Sequence, residues 1–344
     1  METNNKSVLL TGVSGFLGSH TTIQLLNKGY HVIGTLRDIK RAGEIKKIIA
    51  AHTNNIDNLE FAEADIANEA VWMNLTKDID YVQHIASPFP QTVPKDENDL
   101  IIPAKNGNLN ILKAAATNHV KRVVITSSSS AIIYGKEKDK RSGVFNENDW
   151  TDESIQSDIK PYYKSKTIAE KTAWDFIKKD KSGLEMVVVC PGAILGPVLE
   201  KDFGTSANIV IKMIDGSMPG VPDIGFDLVD VRSVADLLIK SMEVPNAANQ
   251  RYIASAGYLN FKQLAAILKN KFPTRKIAHR VFADWMIRLF SNFDATLKPI
   301  LVDLGVERKL DHSKAVKELA WKPIDVKEAV IACAESAIKI GIVK

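Results

Sequence analysis

Cysteine is scarce: Cys190 and Cys333 are the two thiols in 344 residues. They lie far apart and neither belongs to a Cys-x-x-Cys pair, so they build no disulfide framework and no zinc site. The seven histidines show no paired ligand spacing, and no metal is expected. Long apolar runs are missing as well. No stretch approaches the roughly 18 residues that a membrane span requires. The opening Met1-Glu2-Thr3-Asn4-Asn5 is polar and lacks the basic and apolar regions of a signal peptide. A strong excess of one charge is absent: the net charge is +4, and the cations are scattered. The run Lys178, Lys179, Lys181 reads as a solvated helix end, and no basic-aromatic pattern argues for nucleic acid. Internal repeats and low-complexity segments are also absent. A cytosolic protein with reduced thiols is the expectation. With 45% apolar residues over this length, the chain can bury a large core, and the length suggests two lobes.

What is present is alternation. Apolar strands are predicted at Lys6–Gly12, His31–Leu36, Leu59–Asp65, Tyr81–Ser87, Lys121–Ser127 and Leu184–Cys190. Helices are predicted between them at Phe16–Asn27, around Ile45, Ile48 and Ile49, at Asn98–Thr117 and at 161–179. Near-continuous apolar strands alternating with helices imply an α/β fold, a Rossmann-type doubly wound parallel sheet covered on both faces. After Pro191 the pattern breaks, with Gly, Pro and Asp clustered from Asp215 to Asp227. The predicted division assigns 1–190 plus about 226–256 to the dinucleotide-binding domain. It assigns about 191–225 and 257–344 to a smaller, mostly helical substrate-binding lobe at the carboxyl ends of the strands.

Gly12, Gly15 and Gly18 follow the first strand and open the first helix. The chain must turn sharply there, admit a pyrophosphate against its backbone, and present helix amides to the anion. An acid that would take the ribose hydroxyls in an NAD site is missing where the second strand ends in Thr35-Leu36-Arg37. A guanidinium is shaped to hold a phosphate by paired hydrogen bonds, and Lys40 and Arg41 add charge. The expected cofactor is therefore NADPH/NADP. The competing reading is a surface Arg37, with Asp38 serving the ribose.

Tyr162 and Lys166 are four residues apart, which places them on one face of the helix predicted over 161–179. An ammonium beside a phenol stabilises the phenolate, and the pair is expected to lower the Tyr162 pKa and protonate a carbonyl oxygen. A lone Tyr-x-x-x-Lys is weak evidence, since an aromatic packing residue and a surface Lys look the same. Two features strengthen it. Thr126-Ser127-Ser128-Ser129-Ser130 ends the fifth strand and can supply a hydroxyl to the same oxygen, while Pro191-Gly192 follows the sixth and would shape the nicotinamide edge.

With these motifs in place the sequence resembles an extended short-chain dehydrogenase/reductase, of the dihydroflavonol-reductase-like branch. The resemblance runs nearly end to end through TGVSGFLGSH, GTLRD, EADI, HIASP, GNLNILKAA, VVITSSSSA, FNENDW, YYKSKTIAEKTAWDF, CPGAILGP and DLVDVRSVAD. It implies that the glycine turn with Phe16 and Leu17 binds the pyrophosphate and Arg37 the 2′-phosphate. Asp65 and Ile66 would flank the adenine, Ala86 and Ser87 would run beside the ribose and diphosphate, and Pro191 would join the cofactor site. Tyr162 would be the general acid, and Lys166 would hold the nicotinamide ribose. The catalytic hydroxyl would be Ser128, or Ser130 on a different count. The pro-S hydride would be transferred. Two departures stand out: Cys190 replaces a polar residue before Pro-Gly, and Ile133 replaces a polar, substrate-contacting residue of plant flavonoid reductases.

The leading expectation is a carbonyl reductase of small or medium apolar aldehydes and ketones, working as a monomer or homodimer. A sugar-nucleotide epimerase or dehydratase would need an acid after strand two and a basic clasp in the second lobe. A dinucleotide sensor would lack the Tyr/Lys pair. Phe226, Phe282, Trp285 and Phe290 could line a pocket or fill a core.

Overall fold

The computed structural model describes residues 6–88, 94, 96–201, 203–293 and 295–343, so the polar opening Met1–Asn5 lies outside the described residues. Among them, seven parallel strands form the central sheet: β1 (Ser7–Thr11), β2 (His31–Leu36), β3 (Leu59–Glu63), β4 (Tyr81–His84), β5 (Arg122–Thr126), β7 (Glu185–Pro191) and β10 (Arg251–Ala254). Their order is β3-β2-β1-β4-β5-β7-β10. The order reverses between β1 and β4, and open α/β sheets bind ligands in the crevice outside the strand ends at such a point.

The strands are buried on both faces because helices cover both. On one side α1 (Phe16–Asn27) and α7 (Val231–Glu243) pack Leu25, Leu26, Val234, Leu237 and Leu238 against Val8, Leu10 and Val32. On the other, α4 (Asn98–Thr117) and α5 (Pro161–Lys179) bring Ile111, Leu112 and Ala173 to Leu9, Val82, Val123 and Val188. The buried Arg122 closes the end of α7. Its guanidinium donates to the carbonyls of Ser241, Met242 and Val244 at 2.9, 3.0 and 2.7 Å, groups that a helix terminus leaves without partners.

A smaller sheet joins β8 (Ala193–Leu195), β9 (Gly225–Asp230) and β11 (Gly257–Asn260) in the order β11-β9-β8. It shares a third apolar cluster with α6 (Ala207–Ile214), α8 (Phe261–Lys271) and α11 (Val326–Lys339). Phe226 and Phe282 pack against that cluster, whereas Trp285 and Phe290 are exposed. Two short strands, β6 (Gly143–Phe145) and β12 (Arg308–Leu310), pair in parallel beside the small sheet. Here Arg308 forms a fully buried pair with Asp158 at 2.6 Å.

Most strand boundaries shift from the sequence expectation, the fourth strand's the furthest. The fourth strand stops at His84 rather than Ser87, because the next two amides, of Ile85 and Ala86, both donate to Thr11 Oγ1 at 3.0 Å. Ile133 was expected at the substrate edge. It is buried in the second apolar cluster. No helix among the described residues is long and apolar enough to cross a membrane.

Candidate active site

The glycine turn is built as its spacing requires. Gly12 has φ +76°, a backbone conformation that side chains avoid, and a Cβ there would lie 3.2 Å from the Ala86 backbone. A Cβ on Gly18 would run into the Gly12 carbonyl, so the first helix can lie against the turn only with glycine there. Gly15 caps α1 with extended backbone and no side-chain hydrogen bond, which leaves the first-turn amides at Phe16 and Leu17 open to an anion.

Beyond β2, Arg37 is exposed, and among the described residues no hydrogen bond or ion pair engages it. Asp38 is committed differently: its carboxylate accepts from the Lys40 amide at 3.0 Å and caps a short 3-10 turn, which weakens the reading in which it serves a ribose. Arg41 lies 3.6 Å from Glu44 and 3.7 Å from Glu200, so Arg37 and Lys40 are the freer cations here. Asp65 accepts from the Ala67 amide at 2.8 Å, and the neighbouring Ile66 side chain packs close to Gly107 on α4. Turn, helix end and free guanidinium fit a phosphorylated dinucleotide.

A polar chain braces the floor of this crevice. Thr11 Oγ1 accepts the two amides at Ile85 and Ala86, which leaves its own proton for His84 Nδ1 at 2.9 Å. His84 is then the neutral tautomer protonated at Nε2, able to donate to the side chain of Asn108, whose Nδ2 donates to the Ala169 carbonyl on α5 at 3.1 Å. Burial and then the Lys166 ammonium pull the His84 pKa down to about 3, so it stays neutral. Sequence reading missed this brace, because its members come from β1, β4, α4 and α5.

The proposed acid–base group converges at the carboxyl ends of β5 and β7. Tyr162 and Lys166 face the crevice from α5, and a side-chain hydrogen bond joins Tyr162 to Ser128. Ser130 lies behind, its amide and its hydroxyl each 3.1 Å from Ser128 Oγ. Of the two candidates, Ser128 is thus the hydroxyl brought to the phenol. The electrostatics differ from expectation in one respect. Burial pushes Tyr162 up to about 12, with the Ser128 hydrogen bond acting the other way, so the phenol on its own is a weaker acid than free tyrosine. Lys166 is buried as well, and burial brings it down to about 8, against the opposing pull of Cys190 and Glu170. A small space of about 10 Å³ lies among Ala86, Ser87, Asn108, Thr126, Lys166 and Glu170. Pro191 and Gly192 end β7 beside it, and a Cβ at Gly192 would run into the Asp227 carbonyl.

Comparison with known proteins places this geometry among relatives. The NAD dependent epimerase/dehydratase family model matches residues 8–255. The NADPH-dependent methylglyoxal reductase GRE2 of Saccharomyces cerevisiae is 30% identical over 352 residues, covering 97% of this chain and 98% of its own. A dihydroflavonol 4-reductase of Zea mays is 29% identical, with 80% and 76% of the two chains covered. The crystal structure of yeast methylglyoxal/isovaleraldehyde reductase Gre2 complexed with NADPH superposes with a TM-score of 0.81 at 28% identity, over 97% of this chain and 98% of that one.

Proposed function

The chain belongs to the NAD-dependent epimerase/dehydratase family, the extended short-chain dehydrogenases/reductases, and from that premise we propose that it is an NADPH-dependent carbonyl reductase of small and medium apolar aldehydes and ketones. The observation that carries the reading is the Tyr162–Ser128 hydrogen bond, with Lys166 one helical turn away, at the strand ends beside the glycine turn. The turn and the α1 amides would hold the pyrophosphate, and Arg37 the 2′-phosphate. Asp65 and Ile66 would flank the adenine, and Ala86, Ser87 and Pro191 would line the path of the cofactor. NADPH, when bound, supplies a hydride to the carbonyl carbon.

The protein's own residues handle the proton. Ser128 donates a hydrogen bond to the substrate oxygen and fixes it against Tyr162. Tyr162 Oη passes its proton to that oxygen as negative charge builds there. Since burial alone makes Tyr162 a poor acid, the reaction depends on the Lys166 ammonium, which stabilises the phenolate left behind. Ser128, Tyr162 and Lys166 are each held by a regular element or the turn that follows one, so the geometry is set before substrate arrives.

Support for the substrate class comes from the segment after Pro191, in whose densest basic run, Lys269 to Arg280, Lys269 and Arg275 are committed to backbone carbonyls. An apolar pocket discriminates weakly, by about 1–3 kcal/mol per methylene, so a broad range of carbonyls is expected. The test is NADPH oxidation with methylglyoxal, isovaleraldehyde, aromatic ketones and flavanonols, beside chromatographic detection of UDP-glucose conversion to its epimer. Reduction of the simple carbonyls supports the proposal. Turnover of the nucleotide sugar with no carbonyl reduction would overturn it in favour of an epimerase.

A further inference from the structure

The helix that carries Tyr162 and Lys166 places a third ionisable side chain on the same face, Glu170, four residues beyond Lys166. The mechanism above does not use it. Glu170 is buried, yet its two oxygens face donors from four elements. Oε1 accepts from Arg251 Nε at 2.6 Å and from Trp174 Nε1 at 3.3 Å. Oε2 accepts from Ser127 Oγ at 2.5 Å and from Arg251 Nη2 at 3.2 Å, and it lies 3.7 Å from Cys190 Sγ. Arg251 is itself committed. It donates to the carbonyls of Glu147 and Asp149 at 3.0 and 2.8 Å, and it stacks on Trp150 at 3.8 Å. A carboxylate fixed in this way cannot swing toward solvent.

Lys166 and Glu170 line the same small space, and among the described residues the Lys166 ammonium has no hydrogen-bond partner. The groups around it can be taken element by element. On α5 it is flanked by Tyr162 and Glu170. The neutral His84 faces it from β4 and Cys190 from β7. Asn108 from α4 and Thr126 and Ser127 from β5 line the space and carry no charge. Cys190 is held as a thiol, since burial pushes it up to about 12. Among the described residues Glu170 is therefore the one anion acting on Lys166 at neutral pH.

We infer that Glu170 is a positioning residue of the reductase site: its carboxylate, locked by Arg251 and Ser127, supplies the counter-charge that keeps buried Lys166 an ammonium. It also ties Ser127, next to Ser128, to the helix that bears Tyr162. The inference rests on the reductase reading above. Without this carboxylate, burial alone would act on Lys166, and the ammonium would be lost at lower pH.

The test uses the full chain with NADPH and isovaleraldehyde between pH 6 and 9. Glu170→Gln is expected to move the alkaline midpoint of kcat acidward by about one pH unit, with KM for NADPH changed less than about threefold. Glu170→Asp keeps the charge and should leave the midpoint in place. A double variant, Glu170→Gln with Arg251→Met, removes the carboxylate without stranding a buried guanidinium and should show an acidward shift smaller than the single variant's, since a cation is lost with the anion. A readout independent of turnover is acetylation of Lys166 by acetic anhydride against pH, followed by mass spectrometry of its peptide. Its midpoint should fall in step. An unmoved midpoint in Glu170→Gln and in the double variant overturns the inference. So does failure of both to fold while Glu170→Asp folds, which would make the residue scaffold alone. If Tyr162→Phe keeps normal turnover, the reductase reading falls instead, and the acetylation result stands apart from it.

Discussion

Arg37→Ala separates cofactor choice from folding more cleanly than any other substitution in the crevice. The side chain is exposed, and among the described residues it makes no bond that folding would miss. A surface substitution of this kind changes stability by no more than about 0.5 kcal/mol. Its proposed partner is the 2′-phosphate, and a hydrogen bond to a charged group contributes about 1.5–3 kcal/mol. Since each 1.4 kcal/mol is a factor of ten, the expected weakening of NADPH binding is about 10- to 150-fold. The low end of the range is favoured, because Arg37 is solvent-screened and Lys40 remains nearby, while Arg41 is occupied with Glu44 and Glu200. NADH lacks the phosphate and should bind the variant as it binds the parent. Equilibrium titration with each nucleotide, followed by tryptophan fluorescence, reads both affinities, and thermal unfolding reads stability. Equal losses for NADPH and NADH would show Arg37 shaping the turn rather than holding a phosphate. No loss for either would move the phosphate site elsewhere.

Tyr162→Phe keeps the ring and removes the proton, so kcat should fall at least about 100-fold, the usual scale for a lost general acid, while NADPH affinity measured by titration stays within threefold. Reduction should fail as pH rises through about 8: burial has brought Lys166 down to that value, its ammonium form lies below it, and only that form stabilises the Tyr162 phenolate. A rate profile flat to pH 9.5 would refute that dependence. Asp158→Asn takes from the buried Arg308 guanidinium the nearer of its two carboxylates, 2.6 and 3.2 Å away, and leaves only Asp303 at 3.7 Å, so unfolding in denaturant should show a loss approaching about 3–5 kcal/mol. A loss below about 1 kcal/mol would mean that Arg308 is satisfied by Asp303, by its carbonyl partners and by Tyr134, whose ring it covers at 4.6 Å.

Sequence alone determined what depends on neighbours along the chain. Strand and helix alternation follows from apolar periodicity, and Phe16–Asn27, Asn98–Thr117 and 161–179 stand where periodicity, Gly15 and Pro161 put them. The glycine turn and the Tyr162–Lys166 spacing are local too, as one is a backbone requirement and the other a helical repeat. Tertiary structure decided whatever depends on direction or environment. A short 3-10 turn aims Ser128 at Tyr162 and sets Ser130 behind it, a difference of two residues that no spacing rule resolves. Ile133 faces the core because the chain enters that turn inward. The acidity of Tyr162 turned on burial outweighing the Ser128 hydrogen bond, and burial is a property of the packed molecule. Glu170 lay in plain view on the Tyr162–Lys166 face. Its meaning came only from Arg251, 81 residues away, because a buried carboxylate is intelligible only with the cation that folding brings to it.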